Sequence, residues 1–369
     1  MSTTKRILAL ILTGALLIST MLSFTACGED TAVALTVDGQ DVNAGIYIYY
    51  LNRAYSELYS NLTEDSEVDS DYDVYSQTYE NKSASDWIID RAVELSAKYI
   101  AIQNEAKKVG ASIDSTTKNY LDSYAEQYWE YYGENLSKMG IGEASFKSVY
   151  SLSYLEEDAF IKTYGEGGEK EVSDDELMKF MTENYARVKY YSFSKLDSDG
   201  NKKDDDTLSS IKSQIENLIA LTENGKTYDE VIDAYEELQK QIEEAENTDS
   251  DAETDAETDT DTEVDPYARE TMIYKDQTSP SEDFVKMAFE KTSADYGKVF
   301  LYEDDSNYYM VQILDPSERT DYLEDNHDSV LSTFKYEEFD EYIDSLAKEL
   351  TVVRNEKAIK RYEPKKLGV

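Results

Sequence analysis

The chain is poor in the residues that build most enzyme centres. Its 369 residues include one cysteine, Cys27, and one histidine, His327. A single cysteine excludes an intramolecular disulfide. A single histidine, set in the polar run EDNHDSV, leaves no His/Cys set for zinc and no assembled Ser-His-Asp triad. Basic residues are scarce too, 36 Lys and Arg against 79 Asp and Glu, giving a net charge of −43. Such a chain repels nucleic-acid phosphate and anionic headgroups, which excludes nucleic acid as a partner and electrostatic docking to a membrane. No cofactor is expected.

The hydrophobic fraction of 40% is ordinary, and the length suffices for two or three cored domains. Lys5 and Arg6 precede the apolar run ILALILTGALLISTML, which is shorter than a comfortable membrane span and leads into SFTACGED. This resembles a bacterial lipoprotein signal over residues 1–26, with Phe24 where such signals usually carry Leu. The resemblance implies that Cys27 is lipidated and tethers the chain to the outer face of the bacterial cytoplasmic membrane. An ordinary secretory signal is the alternative.

Periodicity organises the rest. AVALTV alternates as a strand, Asp38-Gly39 makes a turn, and Asn43 is placed to cap a helix whose face carries Tyr47, Leu51, Ala54 and Leu58. Ile88, Ala92, Leu95, Tyr99, Ile102, Ala106 and Val109 recur at four and three, and Gly110 follows as a stop. A third helix carries Leu121, Tyr124 and Tyr128 and is expected to end at Gly133; a fourth is expected from about Glu143 to Tyr164. GEGGEKE is a polar boundary, so residues 27–165 form a helical module. Beyond it come the capped helix SDDELMKFMTENY, the strand ARVKYYSFS, two helices, the helix SEDFVKMAFE and a hairpin of GKVFLYE and YYMVQIL. Residues 243–265, with the DAET tetrad in tandem, cannot bury enough surface to offset their ordering entropy and are expected to be disordered. A long helix and the short strand-like LTVV close the chain over 317–369.

This order of parts, with VALTVDGQDVNAGIYIYYL and VSDDELMKFMTENYARVKYYSFS as its clearest segments, resembles the extracytoplasmic foldases of the PrsA and SurA type. The resemblance implies an α+β protein. A mainly helical chaperone domain would be completed by the C-terminal helix, with an inserted parvulin-like prolyl isomerase domain over about 172–316. Parvulins usually place one histidine on the first strand and another on the last. Here those positions fall at Tyr190 and Tyr309, and the glycine-rich GGDLG-like segment is absent. Phe284 matches the family's pocket phenylalanine and Phe289 its second aromatic.

Prolyl isomerisation needs an apolar grip on proline and stabilisation of a twisted amide, not a nucleophile. With both histidines missing, weak or absent isomerase activity is expected, and Tyr308-Tyr309 reads as scaffold. The implied partners are unfolded or newly exported polypeptides, held on aromatic surface such as Trp129, Tyr131 and Tyr132 in WEYYG. Two alternatives stay open: an active isomerase with a tyrosine-lined site, and a cell-surface binding module for a glycan or a partner protein. Asp69, Asp71, Asp73 and Glu80 have the spacing of EF-hand calcium ligands. Val74, however, occupies the position that needs glycine, which makes this a weak metal candidate.

Overall fold

A computed structural model describes residues 32–64, 72–246 and 267–367. Cys27, Asp69, Asp71 and the run 247–265 lie outside the described residues. The chain divides into two compact units. One is made of residues up to Ser173 together with those from Asp328 onward; the other is Asp174–His327. The protein is α+β.

The first unit opens with the antiparallel hairpin β1 (Val33–Val37) and β2 (Gln40–Asn43). Helix α1 (Ala44–Thr63) follows at once because Asn43 turns its side chain to the free N–H of Ile46, at 2.9 Å. A small hairpin, β3 (Thr78–Tyr79) with β4 (Lys82–Ser83), leads into α2 (Ala84–Val109). The seam predicted for α2 is buried: Ile88, Ala92, Leu95, Tyr99, Ile102 and Ala106 are all covered, as are Tyr47, Leu51, Ala54 and Leu58 of α1, and the two helices pack together.

Helix α3 (Ser115–Met139) runs six residues beyond the expected stop at Gly133. Glycine inside a helix costs about 1 kcal/mol against alanine and does not end it. The stop is Gly140, whose φ of +95° is the left-handed conformation that closes a helix, with its N–H on the carbonyls of Leu136 and Ser137. The expected fourth helix is in fact two, α4 (Glu143–Tyr150) and α5 (Leu152–Tyr164). Between them the Ser151 hydroxyl bonds the carbonyls of Lys147 and Ser148, competing with the helical ladder.

The second unit begins with α6 (Asp174–Asn184) and β5 (Tyr185–Ser194). Next come α7 (Asp205–Glu223) and α8 (Tyr228–Glu246), so Glu243–Glu246, expected to be disordered, complete a helix. After the undescribed segment come β6 (Glu270–Tyr274), α9 (Glu282–Glu290), β7 (Val299–Glu303) and β8 (Asn307–Leu314). The four strands form one antiparallel sheet in the order β6-β5-β8-β7. One face packs on α9 through Val188, Ile273, Phe284, Val311 and Ile313. The other packs on α7 and α8 through Phe193, Ile215, Val231, Ile232 and Met310.

Helix α10 (Thr320–Glu349) leaves helical geometry at Asn326 (φ −123°, ψ 22°), beside the boundary between the units. Within the first unit its later part sets Phe339 against Phe160 and Tyr164. Strand β9 (Val352–Arg354) pairs antiparallel with β1, Leu35 opposite Arg354 and Val37 opposite Val352, so the order there is β2-β1-β9. Helices α11 (Glu356–Arg361) and α12 (Pro364–Leu367) end the described chain. Among the described residues no helix is long and apolar enough to cross a membrane.

Candidate functional site

Neighbouring side chains on a strand point to opposite faces, and this separates Tyr308 from Tyr309. Tyr308 joins Phe193 and Met310 on the face covered by α7 and α8, with the Lys195 ammonium 4.5 Å from its ring centre. Tyr309 faces α9 and is 1% exposed.

On that second face the two expected parvulin positions meet. Tyr190 and Tyr309 have ring centres 6.1 Å apart, and Phe284 lies 5.1 Å from Tyr190 and 4.9 Å from Tyr309. Tyr302, which sequence reasoning missed, sits opposite Tyr309 on β7 and completes a group of four rings, 5.8 Å from Phe284. Phe289 is half-buried against the core of the same face. Phe284 itself is fully buried, so the ring expected to grip a client belongs to the core.

A polar centre lies beside the rings. The Tyr309 hydroxyl donates to Asp304 Oδ2 at 2.9 Å and accepts from Asn307 Nδ2 at 3.2 Å. Ser281 Oγ donates to the same Asp304 oxygen at 2.7 Å, while accepting the N–H of Phe284 as the cap of α9. The backbone N–H groups of Ser306 and Asn307 donate to Asp304 Oδ1. Burial works against the Asp304 charge, but these donors outweigh it and hold the carboxyl below the usual carboxylate range. Burial, then the neighbouring Asp304 carboxylate, pushes the Tyr309 hydroxyl up to about 12. A phenol that keeps its proton and spends it on an internal carboxylate is neither base nor nucleophile at neutral pH. Sequence reasoning singled out neither Ser281 nor Asp304, although Ser281 stands where a helix cap would.

Two further features of the second unit lie along β5 and β6, away from the β7–β8 turn. A cleft of about 300 Å³ is lined by Tyr190, Tyr191, Tyr228, Ile232, Arg269 and Thr271. Behind β5 and β6, Arg187 (7% exposed) forms a two-pronged ion pair with the buried Glu270 at 2.6 and 2.9 Å, and Arg319 reaches the same carboxylate at 3.2 Å. His327 holds Asp174 at 3.5 Å on the same unit.

In the first unit the aromatic residues form a ladder. Tyr120, Tyr124, Tyr128 and Tyr132 follow at intervals of four on α3, so they share one face. On α4, Phe146 and Tyr150 are also four apart and stack on them: Tyr124 on Tyr150 at 5.4 Å and Tyr128 on Phe146 at 5.0 Å. Tyr132 lies 4.5 Å from Tyr128, and Tyr154 continues the row beyond Tyr150. Of the residues singled out in WEYYG, Tyr131 is 80% exposed, while Trp129 and Tyr132 are half-buried. Trp129 folds over Gly133, where a Cβ atom would stand 2.7 Å from the indole. Beside α4 and α5 a groove of about 430 Å³ has Ala106, Ile113, Leu152 and Leu155 in its lining and Tyr99 on its wall.

The described half of the calcium candidate is engaged elsewhere. Asp73 Oδ1 accepts from the Tyr75 N–H at 3.0 Å, and Glu80 Oε2 accepts from the Trp87 indole at 2.9 Å. Among the described residues no cluster of three or more His, Cys, Asp or Glu side chains is arranged to hold a metal ion.

The chain is similar to solved foldase structures. It aligns with the foldase protein PrsA of Lactococcus lactis at 14% identity over 90% of this chain and 99% of that one, with a TM-score of 0.36. For PrsA of Bacillus subtilis the identity is 14%, the coverage 90% and 98%, and the TM-score 0.28. For foldase protein PrsA of Streptococcus pneumoniae the values are 15%, 79% and 92%, and 0.29. No protein-family model matches the chain, and no curated protein matches it.

Proposed function

We propose that the protein is an extracytoplasmic chaperone, tethered through a lipidated Cys27, that binds unfolded, newly exported polypeptides. On this reading its parvulin-like unit does not catalyse isomerisation. The observation that carries the proposal is the tyrosine ladder on α3 and α4, with Tyr120 59% and Tyr124 39% exposed. Phenol rings offer an apolar face to any passing apolar side chain while their hydroxyls stay in water. A row of such rings grips many sequences weakly and none tightly, which is what a holding chaperone requires. The absence of catalysis is supported by Tyr309, whose hydroxyl is committed to Asp304, and by the full burial of Phe284.

The test is refolding of a proline-limited client, with the chain from Gly28 onward titrated from substoichiometric to excess. The expected result is slowed refolding with less aggregation, only near stoichiometric amounts. A Tyr120→Ser/Tyr124→Ser variant should suppress aggregation several-fold less well. Acceleration at substoichiometric amounts would establish turnover and overturn the non-catalytic reading. Full protection by the double variant would remove the ladder from the mechanism.

A further inference from the structure

Helix α8 starts inside the core and ends outside it. Tyr228, Val231 and Ile232 are buried, and Tyr235 is half-buried against Phe193 at 5.4 Å. The same seam continues at intervals of three and four through Leu238 and Ile242, but these are 50% and 43% exposed, and every residue from Lys240 to Ala245 is exposed. Short helices are marginal in water without a partner for their apolar face. The charge around this stripe is one-sided. The helix carries eight carboxylates and one lysine, and its last turn has no basic residue. Glu243 and Glu244 stand at the negative end of the helix dipole, where carboxylates are unfavourable and cations favourable. Among the described residues the ion pairs of this helix to other elements lie on its inner half, Lys189 with Asp229 and Arg269 with Asp233 and Glu236, at 2.5, 2.6 and 2.7 Å. The sequence that follows, 247–266, adds nine carboxylates and no base.

We propose that the outer half of α8 docks a basic amphipathic polypeptide segment. Its apolar side chains would cover Leu238 and Ile242, and its lysines or arginines would face Glu237, Glu243 and Glu244. Charge excludes the other occupants. A second copy of this chain, the acidic run 247–266 and an anionic lipid surface are each repelled by the carboxylates that frame the stripe. This surface belongs to the second unit and the tyrosine ladder to the first, and the two are probed with different variants.

The full-length chain is titrated against a labelled synthetic peptide with leucines at helical spacing and lysines between them, read by fluorescence anisotropy at low and high salt. One control peptide carries serine for leucine and a second carries glutamate for lysine. The Leu/Lys peptide should bind, more weakly at high salt, and both controls should bind at least about tenfold less tightly. Leu238→Ser/Ile242→Ser should weaken binding about tenfold, close to the loss of one well-buried aliphatic contact. Glu243→Gln/Glu244→Gln relieves the helix of unfavourable charge, so it keeps the fold while weakening binding and flattening its salt dependence. Tyr120→Ser/Tyr124→Ser should leave binding unchanged. No binding of the Leu/Lys peptide, equal binding of the serine control, or full affinity in the Leu238/Ile242 variant would overturn the proposal.

Discussion

Tyr309 and Ser281, from a strand and a helix cap, donate to one and the same oxygen of Asp304, at 2.9 and 2.7 Å. This shared acceptor ties the start of α9 to the β7–β8 turn and fixes the central tyrosine of the sheet. Tyr309→Phe keeps the ring packing and removes one donor to a charged acceptor. It should destabilise the second unit by about 1–3 kcal/mol and let the Asp304 carboxyl rise toward its ordinary value. Urea unfolding and carboxyl NMR titration check both parts; unchanged stability would mean that the hydroxyl contributes only locally.

Glu270 is a second shared acceptor, buried between Arg187 and Arg319. Removing it leaves guanidinium charge buried without its partner, a loss that typically costs about 3–5 kcal/mol. Glu270→Ala should therefore unfold the second unit at much lower urea, with little effect on the first. A cost below about 1 kcal/mol would show that Glu318 and Asp321 satisfy the two arginines alone.

Glu156, half-buried in the first unit, has its pKa raised to about 7. Burial is the main cause, Asp340 and Asp344 add to it, and Lys98 and Arg53 oppose it. A folded-state pKa above the unfolded value of about 4.3 means that the folded unit binds the proton more tightly. The stabilisation is complete below the unfolded pKa and is lost as pH rises toward 7. Glu156→Gln, which cannot ionise, should flatten that fall in thermal stability between about pH 4.5 and 7. An unchanged profile would assign the pH dependence to other groups.

Gly133 matters for what lies over it. In Gly133→Ala the new methyl meets the Trp129 indole at 2.7 Å, so the ring must leave Phe146 and turn to solvent. The expected readout is a red-shifted tryptophan emission with helix content unchanged, since alanine favours the helix by about 1 kcal/mol. Trp87 stays buried on Glu80 and supplies the constant part of the signal. An unmoved emission spectrum would mean that α3 yields instead of the ring.

What the sequence determined by itself is local and periodic. The alternation of SNYYMVQIL sends Tyr308 and Tyr309 to opposite faces, the four-residue interval of Tyr120, Tyr124 and Tyr128 gives them one face, and Asn43 caps the helix it precedes. These follow from backbone geometry alone. The charge balance and the lack of a histidine pair were equally plain, and they limit the chemistry whatever the fold. Helix ends were less legible, because Gly133 inside α3 and Gly140 at its end look alike until a positive φ distinguishes them. Strand β6 went unread since ETMIY is five residues long and follows an acidic run. Only the tertiary structure joined Asp304, Ser281 and Tyr309, set Glu270 between two arginines, and paired β9 with β1. Ser281 and Asp304, Arg187 and Glu270, and β1 and β9 are distant in sequence, and such contacts form only when the whole unit closes around them.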